Sequence, residues 1–347
     1  MSVPFVRKGP LNLITDVAGI RVGNAEDHAV RTGVTVVLPD GRAVAGGDVR
    51  GGGPGTRETD ALDPACLVDA VDAVVLSGGS SYGLDAASGA VSWLGARGRG
   101  FSLGASPRVS PVVPAAILFD LTNGGDKEWG EEPPYRALGR RACEAADRHF
   151  SLGNAGAGLG AVAGRLKGGL GSASAVTRDG LEVGALVAAN PFGSVLMPGT
   201  GRFWAAPLEL EGEFGGGGHL PDSAGGFAAL DPFAGSKADA AALAPGGNTT
   251  IGVIALNADL TPAEARRVAI MAQDGLARAI RPVHAAVDGD TVFVLATGRL
   301  KLGEQGRAFA VSLAGAIAAD CMARAIARAV YEAESLGDAR GYREIYG

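Results

Sequence analysis

Aromatic side chains make up only 5% of this 347-residue chain, and it holds four histidines and three cysteines. Cys66, Cys143 and Cys321 are odd in number and far apart, with no CxxC spacing. That pattern suggests neither a disulfide framework nor a structural zinc site, and predicts reduced, buried thiols in a cytoplasmic protein; no metal is expected, and the reaction read below needs no cofactor. There is no block of lysine and arginine, and the net charge is -6. A nucleic-acid surface would call for a basic stripe, so that class of partner is excluded, and the charge is read as serving solubility. Long hydrophobic runs are missing as well. The longest, Ala308 to Ala319, is interrupted by Ser312 and stopped by Asp320, short of the ~20 residues that span a bilayer. Met1 to Pro10 lacks the apolar centre of a signal peptide. No membrane association is expected.

What the chain has in excess is glycine, 56 residues scattered in short clusters, against a hydrophobic content of 47%. Tight turns and close backbone approaches around a substantial core are implied. β-branched runs predict strands over Leu13–Val22, Gly33–Leu38, Ala73–Leu76, Ala115–Leu121 and Val183–Ala189, with helices over Leu84–Leu94 and Arg136–His149. This alternation reads as mixed α/β with no clear domain boundary. Residues 211–247 differ: Gly215 to Gly218 are consecutive and Pro221, Pro232 and Pro245 interrupt, so a long exposed loop is expected. After it come a strand from Thr249 to Leu256, a helix opened by the capping-box spacing Thr261-Pro262-Ala263-Glu264 and ending near Arg281-Pro282, a strand over Thr291–Thr297, and a helix over Arg307–Glu334. Ala310, Ala314, Gly315 and Ala318 would let that last helix pack closely on a sheet or another helix.

Gly247-Asn248-Thr249-Thr250 stands where the loop turns into strand. By itself this is turn punctuation. It would also serve a second purpose, because an N-terminal threonine carries a nucleophilic hydroxyl and, in its own α-amine, a base with a pKa of about 8. Asp288-Gly289-Asp290 opens the strand at Thr291. By itself it reads as a hairpin turn, but if the two strands lie side by side its carboxylates approach Thr249.

Competing signals are present. Gly79-Ser80-Ser81-Tyr82-Gly83 matches G-x-S-x-G between a strand and a helix, and Ser81 with His284 and an acid such as Asp231 would make an α/β-hydrolase esterase. The runs Gly46–Thr59 and Lys167–Ser172 are glycine-rich with a basic residue, yet neither has the spacing of a phosphate-binding loop. Their expected use is to bring backbone N–H groups near a substrate or to turn. Asn190, ahead of Pro191, could donate to an oxyanion or be a turn residue.

Taken together, LITDVAGIRVG, TGVTVVLP, LSGGSSYGLDAASG, NAGAGLGA, KGGLGSAS, VAANPFG, GGNTTIGVIALNADLT and DGDTVFVLATG resemble the DmpA/BapA-type family of self-processing aminopeptidases and amidases, particularly the branch with the nylon-oligomer hydrolase NylC. The resemblance implies an αββα sandwich of four layers, like that of N-terminal-nucleophile hydrolases and ornithine acetyltransferase. It implies one domain over 1–347, cut between Asn248 and Thr249 into chains 1–248 and 249–347, with Thr249 as nucleophile. Asp288 and Asp290 match the acidic pair that holds the nucleophile, Asn190 an amide that stabilises the oxyanion, and Lys167, or failing it Arg165, a basic residue nearby. Phe119 stands in the substrate pocket where relatives often carry a tyrosine, so the hydroxyl is absent here. The implied reaction is hydrolysis of a small peptide or amide through an acyl-enzyme, by a homo-oligomer such as a tetramer of cleaved heterodimers. An acetyl-transferring relative is the further alternative.

Overall fold

The computed structural model of the chain describes residues 5–216, 231–239 and 247–347. In chain order its strands are β1 (Val6–Lys8), β2 (Ile20–Asp27), β3 (Thr32–Pro39), β4 (Ala43–Val49), β5 (Thr56–Arg57), β6 (Ala70–Val71), β7 (Val74–Ser77), β8 (Ala115–Ile117), β9 (Val162–Ala163), β10 (Leu166–Lys167), β11 (Gly169–Thr177), β12 (Glu182–Asn190), β13 (Thr249–Ala258) and β14 (Thr291–Leu300). The helices are α1 (Ala86–Gly95), α2 (Tyr135–Glu144), α3 (Pro262–Ala279), α4 (Arg307–Tyr331) and α5 (Tyr342–Tyr346). Seven strands form one sheet in the order β1-β11-β12-β13-β14-β4-β6, and five form a second in the order β2-β3-β7-β8-β5. β13 and β14 are parallel neighbours, as strands joined by a crossover helix, here α3, can be.

Side-chain alternation sorts the core into three slabs. Along β13, Ile251, Val253 and Ala255 meet Val74, Leu76 and Ala116 of the other sheet, while Ile254, Leu256 and Ala258 face Val268, Leu276, Ala314 and Ala318 of α3 and α4. The five-stranded sheet in turn buries Val34, Val36 and Val75 against Ala90, Leu94 and Leu138 of α1 and α2. The result is helices, sheet, sheet, helices, the four-layer order that the resemblance implies. Both central sheets are covered on both faces, which is why β3, β12 and β13 read as continuous apolar runs.

Most of the expected elements form within a few residues of their expected ends. Thr261 caps α3, accepting from the Glu264 N–H at 3.3 Å while Glu264 accepts from the Thr261 N–H at 2.8 Å. Helix α4 is long and apolar enough by composition to cross a membrane, but most of that apolar surface is buried inside the sandwich. Two expectations are corrected. Leu13–Val22 is not one strand: Ile14–Asp16 is a single 3-10 turn, whose Ile14 N–H is taken by Ser172 Oγ, and β2 starts only at Ile20. The helix expected from Leu84 is 3-10 over Ser80–Asp85 and becomes α-helix only from Ala86, as α1. The described parts of 211–247 are loop, with Glu211, Gly212, Gly215, Gly216 and Asp231 to Phe233 exposed as expected, but they are anchored at particular side chains. Glu213 is buried in an ion pair with Arg324 of α4 at 2.5 Å, and Phe233 lies edge-on to Phe192 with ring centres 5.9 Å apart. Gly217, Gly218, Pro221 and Pro245 lie outside the described residues.

Candidate active site

The register of the seven-stranded sheet assembles the centre. Asn190 pairs with Thr249 across β12 and β13, and Ile251 with Thr291 across β13 and β14, so the turn before β14 sits beside the start of β13. Parity then chooses between the two threonines. Thr249 shares the face of Ile251 and Val253, at the open end of the slab between the sheets, as Asn190 shares the face of Leu186 and Ala188. Thr250 points to the helical side, where its hydroxyl is buried without a hydrogen-bond partner.

The Asn248–Thr249 peptide is held at its carbonyl. The Thr249 hydroxyl donates to the Asn248 oxygen, and the Gly289 N–H donates to the same oxygen at 3.0 Å. Glycine is required there. A Cβ at Gly289 would lie 2.8 Å from Thr249 Oγ1 and 2.8 Å from the Gly53 oxygen.

The two carboxylates are buried and each is tied to backbone. Asp288 accepts from the Phe192 N–H (3.0 Å) and the Ala285 N–H (3.0 Å). Burial, and then the charge of Asp290 beside it, push its pKa upward. Asp290 accepts from the Thr250 N–H (2.8 Å) through one oxygen, and the other meets the His284 N–H (3.1 Å) and Nδ1 (2.8 Å). His284 has φ of 53°, a left-handed conformation costly outside glycine, and both of its contacts to Asp290 pin it there. The run Gly46–Thr59 forms the back of this turn: the Arg50 N–H donates to the Asp290 carbonyl at 2.9 Å and the Gly53 N–H to the Asp288 carbonyl at 2.7 Å. At Gly51 a Cβ would come within 2.3 Å of the Asp288 carbonyl oxygen. These donors are spent on the protein, so the run is no phosphate cradle.

Asn190 is saturated. Its Oδ1 accepts from the Val162 N–H (2.9 Å) and from Lys237 Nζ (3.2 Å), and its Nδ2 donates to the carbonyls of Phe119 (3.2 Å) and Gly247 (3.3 Å). These groups line a cavity of about 220 Å³ whose walls include Phe119, Asp120, Asn190, Phe192, Lys237 and Asn248. Asp120, at the exit of β8, accepts from Thr32 Oγ1 at 2.6 Å and from the Gly79 N–H at 2.8 Å, and burial raises its pKa. Lys237 is only partly buried as a residue, but its amine end is desolvated and its pKa falls to about 7, with Asp288 opposing the shift.

Lys167 is placed differently. It is buried, but its amine donates to the carbonyls of Gly158 (3.0 Å) and Gly168 (2.6 Å), and with Arg165 it lines a neighbouring cavity of about 250 Å³. The two cavities share Thr122, Asn123, Gly160 and Val162 as a common wall. The basic side chain brought to Asn190 is therefore Lys237, which sequence reading passed over. Its only signal was being a lone cation in a stretch of small residues. The Ser81 triad does not assemble: Ser81 is exposed, His284 is committed to Asp290, and exposed Asp231 accepts from the Phe233 N–H at 2.9 Å.

Lys167 carries a pH signature. Burial lowers its pKa to about 7, against an opposing pull from Asp120. An unfolded lysine keeps its proton to about 10.4, so between about pH 7 and 8.5 the unfolded state binds more protons and stability should rise with pH, by up to about 1.4 kcal/mol per unit. Above that window the buried thiols of Cys143 and Cys321, each raised to about 12, pull the other way. Lys237, its amine also lowered to about 7, adds a like share over the same window, so urea titrations of Thr249→Ala with and without Lys167→Met should show the slope and its fall by about half. An equal slope in both would sink the assignment.

The profile of Peptidase family S58 matches residues 12–343. The chain belongs to peptidase family S58. It is 44% identical to an uncharacterized aminopeptidase of Mycobacterium tuberculosis, covering 97% of this chain and 98% of the relative. Identity to a 6-aminohexanoate-oligomer endohydrolase of a Kocuria species is 31%, covering 94% of this chain and 88% of that one. Among solved structures, the L-aminopeptidase D-Ala-esterase/amidase of Ochrobactrum anthropi, described as a variant of the Ntn-hydrolase fold, superimposes with a TM-score of 0.68 at 21% identity, covering 96% of this chain and 91% of that chain. As an S58 member the chain is a hydrolase of peptide or amide bonds with the Ntn-hydrolase type of sandwich.

Proposed function

We propose that this S58 hydrolase is made as a precursor that cuts itself between Asn248 and Thr249, and that the released Thr249 then attacks small peptide or amide substrates. The observation that carries the reading is the Thr249 hydroxyl lying against the carbonyl of its own peptide bond, with the Gly289 N–H on the same oxygen. Attack of Oγ1 on the Asn248 carbonyl carbon moves charge onto that oxygen, where the Gly289 donor already stands. The C–N bond breaks, the acyl group passes to Oγ1 as an ester, and the hydroxyl proton moves to the nitrogen, which becomes the α-amine of Thr249. Water hydrolyses the ester to the Asn248 carboxylate and restores the hydroxyl.

In turnover the α-amine takes the hydroxyl proton as Thr249 attacks the substrate carbonyl, and the buried Asp288 and Asp290 offer the ammonium its counter-charge. The leaving amine departs with a proton, and water releases the acid. Once the cut lets the Gly247–Asn248 end move away, the Asn190 amide is free to donate to the substrate, and Phe119 gives the cavity an apolar wall without a hydroxyl. The substrate class we assign is a short amide with a free amino end, an α- or β-amino-acid peptide or an ω-amino-acid oligomer. We extend the proposal to a cytoplasmic tetramer of cleaved heterodimers, consistent with three unpaired thiols.

The test is the intact mass of purified protein with N-terminal sequencing of any fragment. Two pieces with Thr249 as a new N-terminus support the reading. A single 34.7 kDa species after days of incubation overturns it.

A further inference from the structure

Lys237 enters the site from the stretch ahead of the junction, and its placement is fixed by more than its amine. Its N–H donates to the Phe192 carbonyl at 3.0 Å, Ser236 before it is fully buried, and Phe233 packs edge-on against Phe192. The amine then lies 3.2 Å from Asn190 Oδ1 and 3.3 Å from the Asn190 carbonyl oxygen. No carboxylate of the described residues lies within ion-pair distance of it, the facing charge being Asp288 on the turn before β14.

The consequence lies in the Asn190 amide. Oxygen and NH2 of a carboxamide are nearly the same shape, so only partners decide which way it points. The Val162 N–H and Lys237 Nζ both present donors to the Oδ1 side, and the carbonyls of Phe119 and Gly247 present acceptors to the Nδ2 side. Reversal would set the NH2 against two donors. We infer that Lys237 is a positioning residue for Asn190, holding its carboxamide so that the NH2 faces the acyl side of the bond being cut, first in the precursor and then in the substrate. The inference rests on the function proposed above.

The experiment follows the appearance of the 249–347 fragment, and kcat and KM on an aminoacyl p-nitroanilide, in wild type, Lys237→Met, Lys237→Arg, Asn190→Ala and the Lys237→Met/Asn190→Ala double variant. Loss of one charge-assisted hydrogen bond predicts about a 10-fold fall in cutting rate and kcat for Lys237→Met, with KM within about twofold. Lys237→Arg, which keeps donors there, should stay within about threefold of wild type. In the Asn190→Ala background Lys237→Met should add less than about twofold, because the group it positions is gone.

Lys237→Met cutting at the wild-type rate overturns the role of Lys237 alone. So does a full 10-fold loss added on top of Asn190→Ala, or an arginine variant as slow as the methionine one. A wild type that never cuts and never turns over overturns the proposed function itself and this inference with it.

Discussion

Thr249→Ala is expected to persist as one uncut 34.7 kDa chain and to lose amide hydrolysis by roughly 10⁴-fold or more, the scale seen when a nucleophile is deleted from a preorganised site. The hydroxyl of this side chain donates to the carbonyl it is proposed to attack. Removing it leaves the strand and the surrounding donors in place, so the variant should fold, and its melting temperature should stay near that of an uncut wild type. Thr249→Ser separates chemistry from packing. It keeps the hydroxyl and should still cut, more slowly, because the lost methyl group no longer restricts the rotamer. Mass spectrometry over a time course reads both. An alanine variant that still yields fragment 249–347 would remove Thr249 from the chemistry, whereas Thr250→Ala, on the opposite face, should cut.

The second large effect belongs to Asp290. Asp290→Ala removes the acceptor for the Thr250 N–H and for both His284 contacts at once. Leaving buried donors unpaired costs roughly 1–3 kcal/mol each. His284 is partly exposed and can recover water, so a total loss of roughly 3 kcal/mol is expected. The same change should stop self-cutting, because the carboxylate ties the start of β13 to the turn that supplies the Gly289 donor. Asp290→Asn keeps the shape but turns an NH2 toward one set of donors, and should fall between. Urea denaturation paired with fragment time courses gives both numbers. An alanine variant within 1 kcal/mol of wild type and cut at the same rate would leave Asp290 with no part in either the turn's stability or the cutting.

Much of the frame was legible in the residues. The capping box at Thr261, the β-branched runs of β3 and β13, and the small-residue helix α4 all form where local chemistry places them, because each signal is local. Leu13–Val22 misled because a β-branched pattern hides the Ser172 hydroxyl that pulls Ile14 into a turn from 158 residues away. What anchors the described loop pieces 211–216 and 231–239 was illegible for the same reason. Glycine and proline advertise a loop, while the Arg324 and Phe192 that hold it come from elsewhere in the chain.

The site divides along the same line. Residue types and spacing were enough to put Thr249, Asp288, Asp290 and Asn190 forward, and the S58 family was recognisable in their motifs, since those are properties of short segments. Tertiary structure alone decided that Lys237 and not Lys167 reaches Asn190, that Gly289 and not Asn190 donates to the Asn248 carbonyl, and that His284 serves Asp290 and not Ser81. Each of those choices depends on strand register and on which face a side chain takes, and a shift of one residue reverses the face.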